Sequence, residues 1–305
     1  MKLTKIWLCQ NRSTKPNPNT PAQPVMARIH SIKNCVETLL SNIIPRKHLD
    51  SFTIPPNLEI FNQAFTAQSW DPAKNYEYLE QLGDVTANKA LVWYFYRRFP
   101  PLACSSGVKV VARLKINYSS KKCFSKIAND LGFWKLILAS DDDKFHQRDD
   151  LLEDSFEAFV GAIEMIADRE FGMGTGSAVA YNFVKNIFDK MDISLHYEDL
   201  FDSKTRLKEI VDKHGQSLGR IQYKETRQGM GKDLVTTSIV TLFQGHGKRS
   251  QVLGIGRRRL KSDAQREAST IAIAELKRRG FSKEPAPEYS KFAALPGQNR
   301  LCTLG

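Results

Sequence analysis

The sequence predicts an α+β, multidomain chain: an all-α body of roughly two hundred residues followed by a small module of order α-β-β-β-α. Three observations predict it. Apolar residues recur at helical spacing through the first part of the chain, with no convincing strand alternation. After Asp192 the texture changes to β-rich runs punctuated by glycine. Charge is split the same way: residues 201–305 hold 21 basic and 10 acidic residues, a net +11, whereas residues 1–200 carry only +1 of the total +12. A polycationic third on a near-neutral body points to a polyanionic partner, nucleic acid before an anionic membrane surface.

In chain order, residues 11–25 (NRSTKPNPNTPAQPV) are proline-rich and too polar to bury much, so residues 1–28 are expected to form a flexible leader. No acid occurs before Glu37, a composition shared by some organelle-import peptides. From Ile29, the spacing of Ile32, Val36, Leu39 and Leu40 predicts a helix ending at Pro45. Further helical stretches are expected near 57–70, 75–99, 122–139, 151–169 and 177–191, completing a domain over 29–192. A polar connector, 193–202, leads to a helix at Lys204–His214 and β-rich segments at 221–228, 234–243 and 251–254. Gln244-Gly245-His246-Gly247 supplies the second hairpin turn. A final amphipathic helix carries Ala264, Ala268, Ile271, Ala272 and Leu276 on one face, with Lys277-Arg278-Arg279 before Gly280 at its end. The module spans 203–281, and 282–305 is expected to be a flexible tail.

Several classes are excluded. Five well-separated cysteines without CxxC spacing, and six histidines without a close ligand pair, argue against a disulfide framework and a zinc site. No stretch approaches the ~18 apolar residues of a membrane span, which gives the expectation of a soluble, intracellular protein, cytoplasmic or nuclear. Gly254-Ile255-Gly256 lacks a third glycine, so a dinucleotide site is not indicated.

The acids are the informative residues. In NYEYLEQLGD, a helix puts Glu77, Glu80 and Asp84 on one face, where like charges repel. Such a face either meets water or holds metal. In LLEDSFEAFVGAI, Asp154 and Glu157 are three apart on a helix otherwise built for a core, with Ala158, Gly161 and Ala162 permitting close approach of a neighbour. If the two helices meet, four carboxylates converge. That hard oxygen set suits Mg²⁺ and the hydrolysis of phosphodiesters.

These two segments, with CFSKIANDLGFWKLIL between them and NLEIFNQAFTAQSW before them, resemble the ribonuclease III family over about residues 50–165. The resemblance implies that Glu80, Asp84, Asp154 and Glu157 are the catalytic, metal-holding carboxylates, with Glu77 as a supporting acid. It implies Mg²⁺, with Mn²⁺ able to substitute, and a homodimer formed through the helical domain. The family usually has an aromatic where this chain has Gln81, a side chain that enters the partner subunit. Residues 203–281 resemble a double-stranded RNA-binding domain. There the resemblance implies RNA contacts by Glu209 in the first helix and Lys261 at the start of the second, with Lys232, Arg257, Arg258, Arg259 and Arg266 adding positive potential. The implied activity is endonucleolytic cleavage of double-stranded RNA leaving 5′-phosphate and 3′-hydroxyl ends. The alternative is a catalytically inactive duplex-RNA binder that sequesters RNA or belongs to a ribonucleoprotein.

Overall fold

The computed structural model describes residues 22–243 and 250–295, with side chains from Met26 onward except that of Lys232. The expected leader thus lies outside the described residues up to residue 21, as does the second hairpin turn at 244–247. Where the chain can be followed, the helix begins earlier than its composition suggests. Helix α1 runs Ala22–Leu40 and takes Pro24 into its first turn, where a missing N–H costs nothing. Ile32, Val36 and Leu40 are fully buried along its inner stripe.

Two short helices follow, α2 (Arg46–Phe52) and α3 (Pro55–Ala64), then the long α4 (Glu77–Arg98). Helix α4 opens with Glu77 and Glu80 and closes with Arg97 and Arg98, charges that complement its dipole at both ends. Its inner face is Leu79, Gly83, Ala87, Ala90, Leu91, Tyr94 and Phe95. Helix α5 (Ser105–Tyr118) has no counterpart among the expected stretches. Its burial rests on Val110, Val111 and Leu114, a stripe diluted by lysine and arginine.

The stretch expected as one helix over 122–139 is divided. Helix α6 spans Lys121–Asp130, the chain turns at Gly132 with φ +81°, and a short 3₁₀ turn leads to Leu138. Leu138 forms a parallel bridge with Thr66, closing the loop after α3. Helix α7 (Asp141–His146) is capped by the Ser140 hydroxyl, which accepts from the Asp143 N–H at 3.1 Å. The acidic run Asp141–Asp143 is therefore a helix N-terminus rather than a loop.

Helix α8 (Arg148–Phe171) runs through the middle of the body and is buried almost all round from Leu151 to Ala167. Helices α3, α4, α6 and α9 (Thr175–Phe188) surround it. Phe159 is the hub of its aromatic packing, with ring centroids 5.2 Å from Phe61, 5.0 Å from Phe133 and 5.4 Å from Phe183. On the other side, Phe156 lies 4.7 Å from Phe124 of α6.

A one-turn helix, α10 (Tyr197–Leu200), precedes the second module. That module is α11 (Ser203–Leu218), β1 (Arg220–Gln228), β2 (Val235–Phe243), β3 (Gln251–Arg258) and α12 (Lys261–Arg278). Its sheet is antiparallel in the order β1-β2-β3, and both helices pack on one face. Leu207, Val240, Leu242, Leu253, Ala268, Ala272 and Leu276 form a core separate from that of the helical body. Gly254 and Gly256 pass directly beneath α12, where a Cβ would strike the backbone of Ala268 and Ala264. That close approach explains their spacing.

The tail departs from expectation. Residues 282–286 cross back to the helical body, and Pro287–Ala293 form helix α13, whose Phe292 is 2% exposed within the body's core. Residues 296–305 lie outside the described residues. Among the described residues no helix is long and apolar enough to cross a membrane.

Candidate active site

Helices α4 and α8 pack so closely that glycines are required on both. A Cβ on Gly83 would strike the carbonyl of Glu157, and one on Gly161 would strike the carbonyl of Leu79. This contact brings the two acidic motifs to one cleft. Glu80 and Asp84 come from α4, Asp154 and Glu157 from α8, and Glu77 stands exposed at the rim.

The electrostatics record the convergence. Burial, then the negative charges of Asp84, Glu153, Glu80 and Asp154, push the Glu157 carboxyl up to about 8. Burial, then Asp154, Glu77, Glu153 and Asp84, push Glu80 up to about 7. Asp154 is also raised, chiefly by burial, although the Tyr76 hydroxyl donates to its Oδ2 at 3.0 Å and favours its charged form. Asn88 Nδ2 donates to Asp84 Oδ1 at 2.6 Å. The charged groups that act most on Glu157 are all anions.

Acids so arranged oppose folding wherever they are ionised. Glu157 and Glu80 titrate in the folded chain above the ordinary 4.5 of an unfolded glutamate. Between that value and about 8, the folded protein keeps protons that the unfolded chain has released. Stability in chelator therefore falls as pH rises through this window. Melting temperature should be lower at pH 8.5 than the rest of the protein's titration requires, and Glu157→Gln should recover about 2 kcal/mol at that pH but little at pH 5. Equal gains at the two pH values would count against a strained carboxylate.

The donor set is all carboxylate oxygen, with no nitrogen or sulfur, which suits a hard divalent cation. The side chains share the cleft without forming a ligand shell: among the described residues, no three His, Cys, Asp or Glu side chains are gathered as a metal-holding group. Divalent charge would relieve the repulsion that raises Glu80 and Glu157, which is the physical sense in which these residues fit such an ion.

Sequence reasoning missed three participants. Tyr76 immediately precedes the acidic helix and is 5% exposed, its hydroxyl spent on Asp154. Asn88 is one turn from Asp84, a spacing that could have signalled it. Glu153 adds a sixth acid, and Lys121 of α6 answers it at 3.4 Å while also pairing with Asp150.

In the second module the expected RNA-contacting residues do not form one patch. Strand alternation sends Arg257 and Arg258 to opposite faces, and Arg258 pairs with Glu267 at 2.8 Å. Arg259 is exposed beyond the strand end. Lys261 is exposed and lies 3.7 Å from Glu225, and Arg266 lies 3.4 Å from Asp263. The Lys232 side chain lies outside the described residues. Glu209 does not face outward freely: the Tyr197 hydroxyl donates to it, and Lys283 approaches to 3.0 Å.

A helical body that pairs two acidic helices is thus followed by a basic α-β-β-β-α module. Residues 77–166 match the model of the Ribonuclease III domain. The "Putative ribonuclease 3" of Invertebrate iridescent virus 6 is 35% identical over 276 residues, covering 87% of this chain and 93% of its own length. That of Frog virus 3 is 40% identical over 82% of this chain and 65% of its own. The Ribonuclease 3 of Bacillus cytotoxicus is 27% identical over 72% and 86%. The chain belongs to the ribonuclease III family.

Proposed function

We propose that this chain is an endoribonuclease that cuts double-stranded RNA by metal-assisted phosphodiester hydrolysis, leaving 5′-phosphate and 3′-hydroxyl ends. The observation that carries the reading is the convergence of Glu80 and Glu157, from different helices, among other acids: burial first, then neighbouring carboxylates, push their carboxyls up to about 7 and about 8. Structural acids would be paired. These are poised instead for a cation.

Glu80, Asp84, Asp154 and Glu157 would hold Mg²⁺, or Mn²⁺ in its place. When bound, the ion would supply an activated water and neutralise charge on the leaving oxygen. The chain's own part is geometric. Asn88 fixes Asp84, Tyr76 fixes Asp154, and the Gly83–Gly161 contact fixes the separation of the two helices. Glu77 at the rim adds negative potential that draws a cation toward the mouth.

The second module is read as a double-stranded RNA-binding domain. Its order of elements and its net positive charge support this, with exposed Lys261, Arg257, Arg259 and Arg266 as the cations that would meet phosphates, although they do not form one patch. Incubating labelled duplex RNA with the protein, with and without Mg²⁺, tests the whole reading. Cuts on both strands that vanish in chelator are expected. Tight duplex binding without cutting under Mg²⁺ or Mn²⁺ would favour the alternative of a non-catalytic binder.

We also propose a homodimer through the helical body. Tyr78, Val85 and Trp93 are 69%, 64% and 59% exposed on one face of α4, an apolar stripe without a partner in the single chain. Gln81 sits beside that stripe. Val85→Asp should convert a dimer to a monomer in light scattering; an unchanged mass of one chain for both proteins would refute the dimer.

A further inference from the structure

The segment after the second module returns to the helical body and is tied at both ends. At its start, Lys213 and His214 of α11 bond to the Ser282 carbonyl at 3.1 and 2.9 Å. At its end, Phe292 is buried in the body and Lys109 of α5 pairs with Glu288 at 2.7 Å. Between these, Tyr289 stacks edge-on against Phe201, centroids 5.0 Å apart, and lies 6.0 Å from Tyr197. Arg113 of α5 covers the other ring of this clasp, its guanidinium 4.5 Å from the centroid of Phe201.

The clasp reaches one functional candidate. Tyr197 and Lys283, the connector and the returning segment, converge on the same oxygen of Glu209. Arg266 and Arg206 line the cleft between module and body together with Arg113 and Asp202. An acid expected to read ribose hydroxyls is thus satisfied within the chain.

We propose that residues 282–295 are a strap that docks on α5 and α10 and holds the second module in a closed orientation, with Glu209 withheld from duplex RNA until the strap is displaced. This rests on the reading of that module as a duplex-RNA binder. Ribose hydroxyls compete with Tyr197 and with Lys283 of the strap for one carboxylate, and Tyr289 of the strap packs against Tyr197, so strap release and duplex binding are linked equilibria. The apolar clasp sets the cost of opening.

The test is affinity of the full chain for a fluorescent duplex RNA in chelator, where no cutting intervenes. Tyr197→Phe keeps the ring and the charge but removes the competing hydroxyl. Lys283→Ala removes a cation, which by general electrostatics weakens RNA binding but by release of Glu209 strengthens it. Both variants should bind at least about tenfold more tightly, the worth of one hydrogen bond to a charged group, and adding Glu209→Ala should cancel the gain. Phe292→Ser should raise the radius of gyration in solution scattering. If the parent binds duplex and both variants bind equally or more weakly, the strap is overturned while the functional reading stands. If no protein binds duplex, that reading fails and the strap with it.

Discussion

Glu157→Gln should lower duplex cleavage by at least about a thousandfold, the size of effect that removal of one group from a preorganised charge-stabilising site produces, while duplex affinity changes less than twofold. The reason is local. Glu157 is 7% exposed, sits at the α4–α8 contact, and feels all of its acidic neighbours at once. An amide of the same shape keeps the packing but halves the anionic donor capacity of that side chain. Asp84→Asn should act similarly, because Asp84 is the exposed outer member of the same set and is held by Asn88. The measurement is single-turnover cutting beside anisotropy binding on one RNA. Full cutting by either variant would end the carboxylate assignment, whereas equal loss of binding and cutting would indicate misfolding. The expected rise in chelator stability of Glu157→Gln separates these cases: a misfolded variant would lose stability, whereas removing one of the clustered charges should raise it.

Gly83→Ala should be the most damaging single methyl in the protein, costing more than about 3 kcal/mol, above the usual overpacking penalty because the obstacle is backbone rather than a side chain. The added carbon would strike the Glu157 carbonyl and crowd the Gly161 N–H. Gly161→Ala meets the Leu79 carbonyl from the opposite side. Neither helix can yield alone, because α8 is buried all round and α4 is anchored by Leu91, Tyr94 and Phe95. Where the variants fold at reduced temperature, the helices must separate, and the acids they carry separate with them. Cleavage should then fall further than stability explains, and raising the Mg²⁺ concentration should recover part of it. Wild-type melting behaviour in both variants would show that the helices are not in contact at these positions.

These two results would probe features that were unequally visible in the chain. The acids were legible because like charges at i, i+4 on an otherwise apolar segment conflict with local helix stability, and such a conflict marks a site. The small residues of α8 were legible as a packing surface. Their partner Gly83 was present in the motif, but its role as the opposing half of the contact depends on which helix lies across it. Helix α5 escaped notice because lysines and arginines interrupt its stripe, and Tyr76 because one aromatic before a helix has many uses.

What the sequence by itself determined is the order of most elements, though not α5 or α13, and the two acidic faces. Helical period, dipole-matched charges, capping residues and turn glycines act over a few residues, so they can be read along the chain. Only the tertiary structure decided that Arg258 turns to Glu267, that Gly254 and Gly256 make room for α12, and that the returning segment buries Phe292 and engages Glu209 through Lys283. Those outcomes depend on contacts between segments tens of residues apart. No local preference encodes them; they arise because burying an aromatic ring against a preformed surface outweighs the polar, proline-containing character of the segment that carries it.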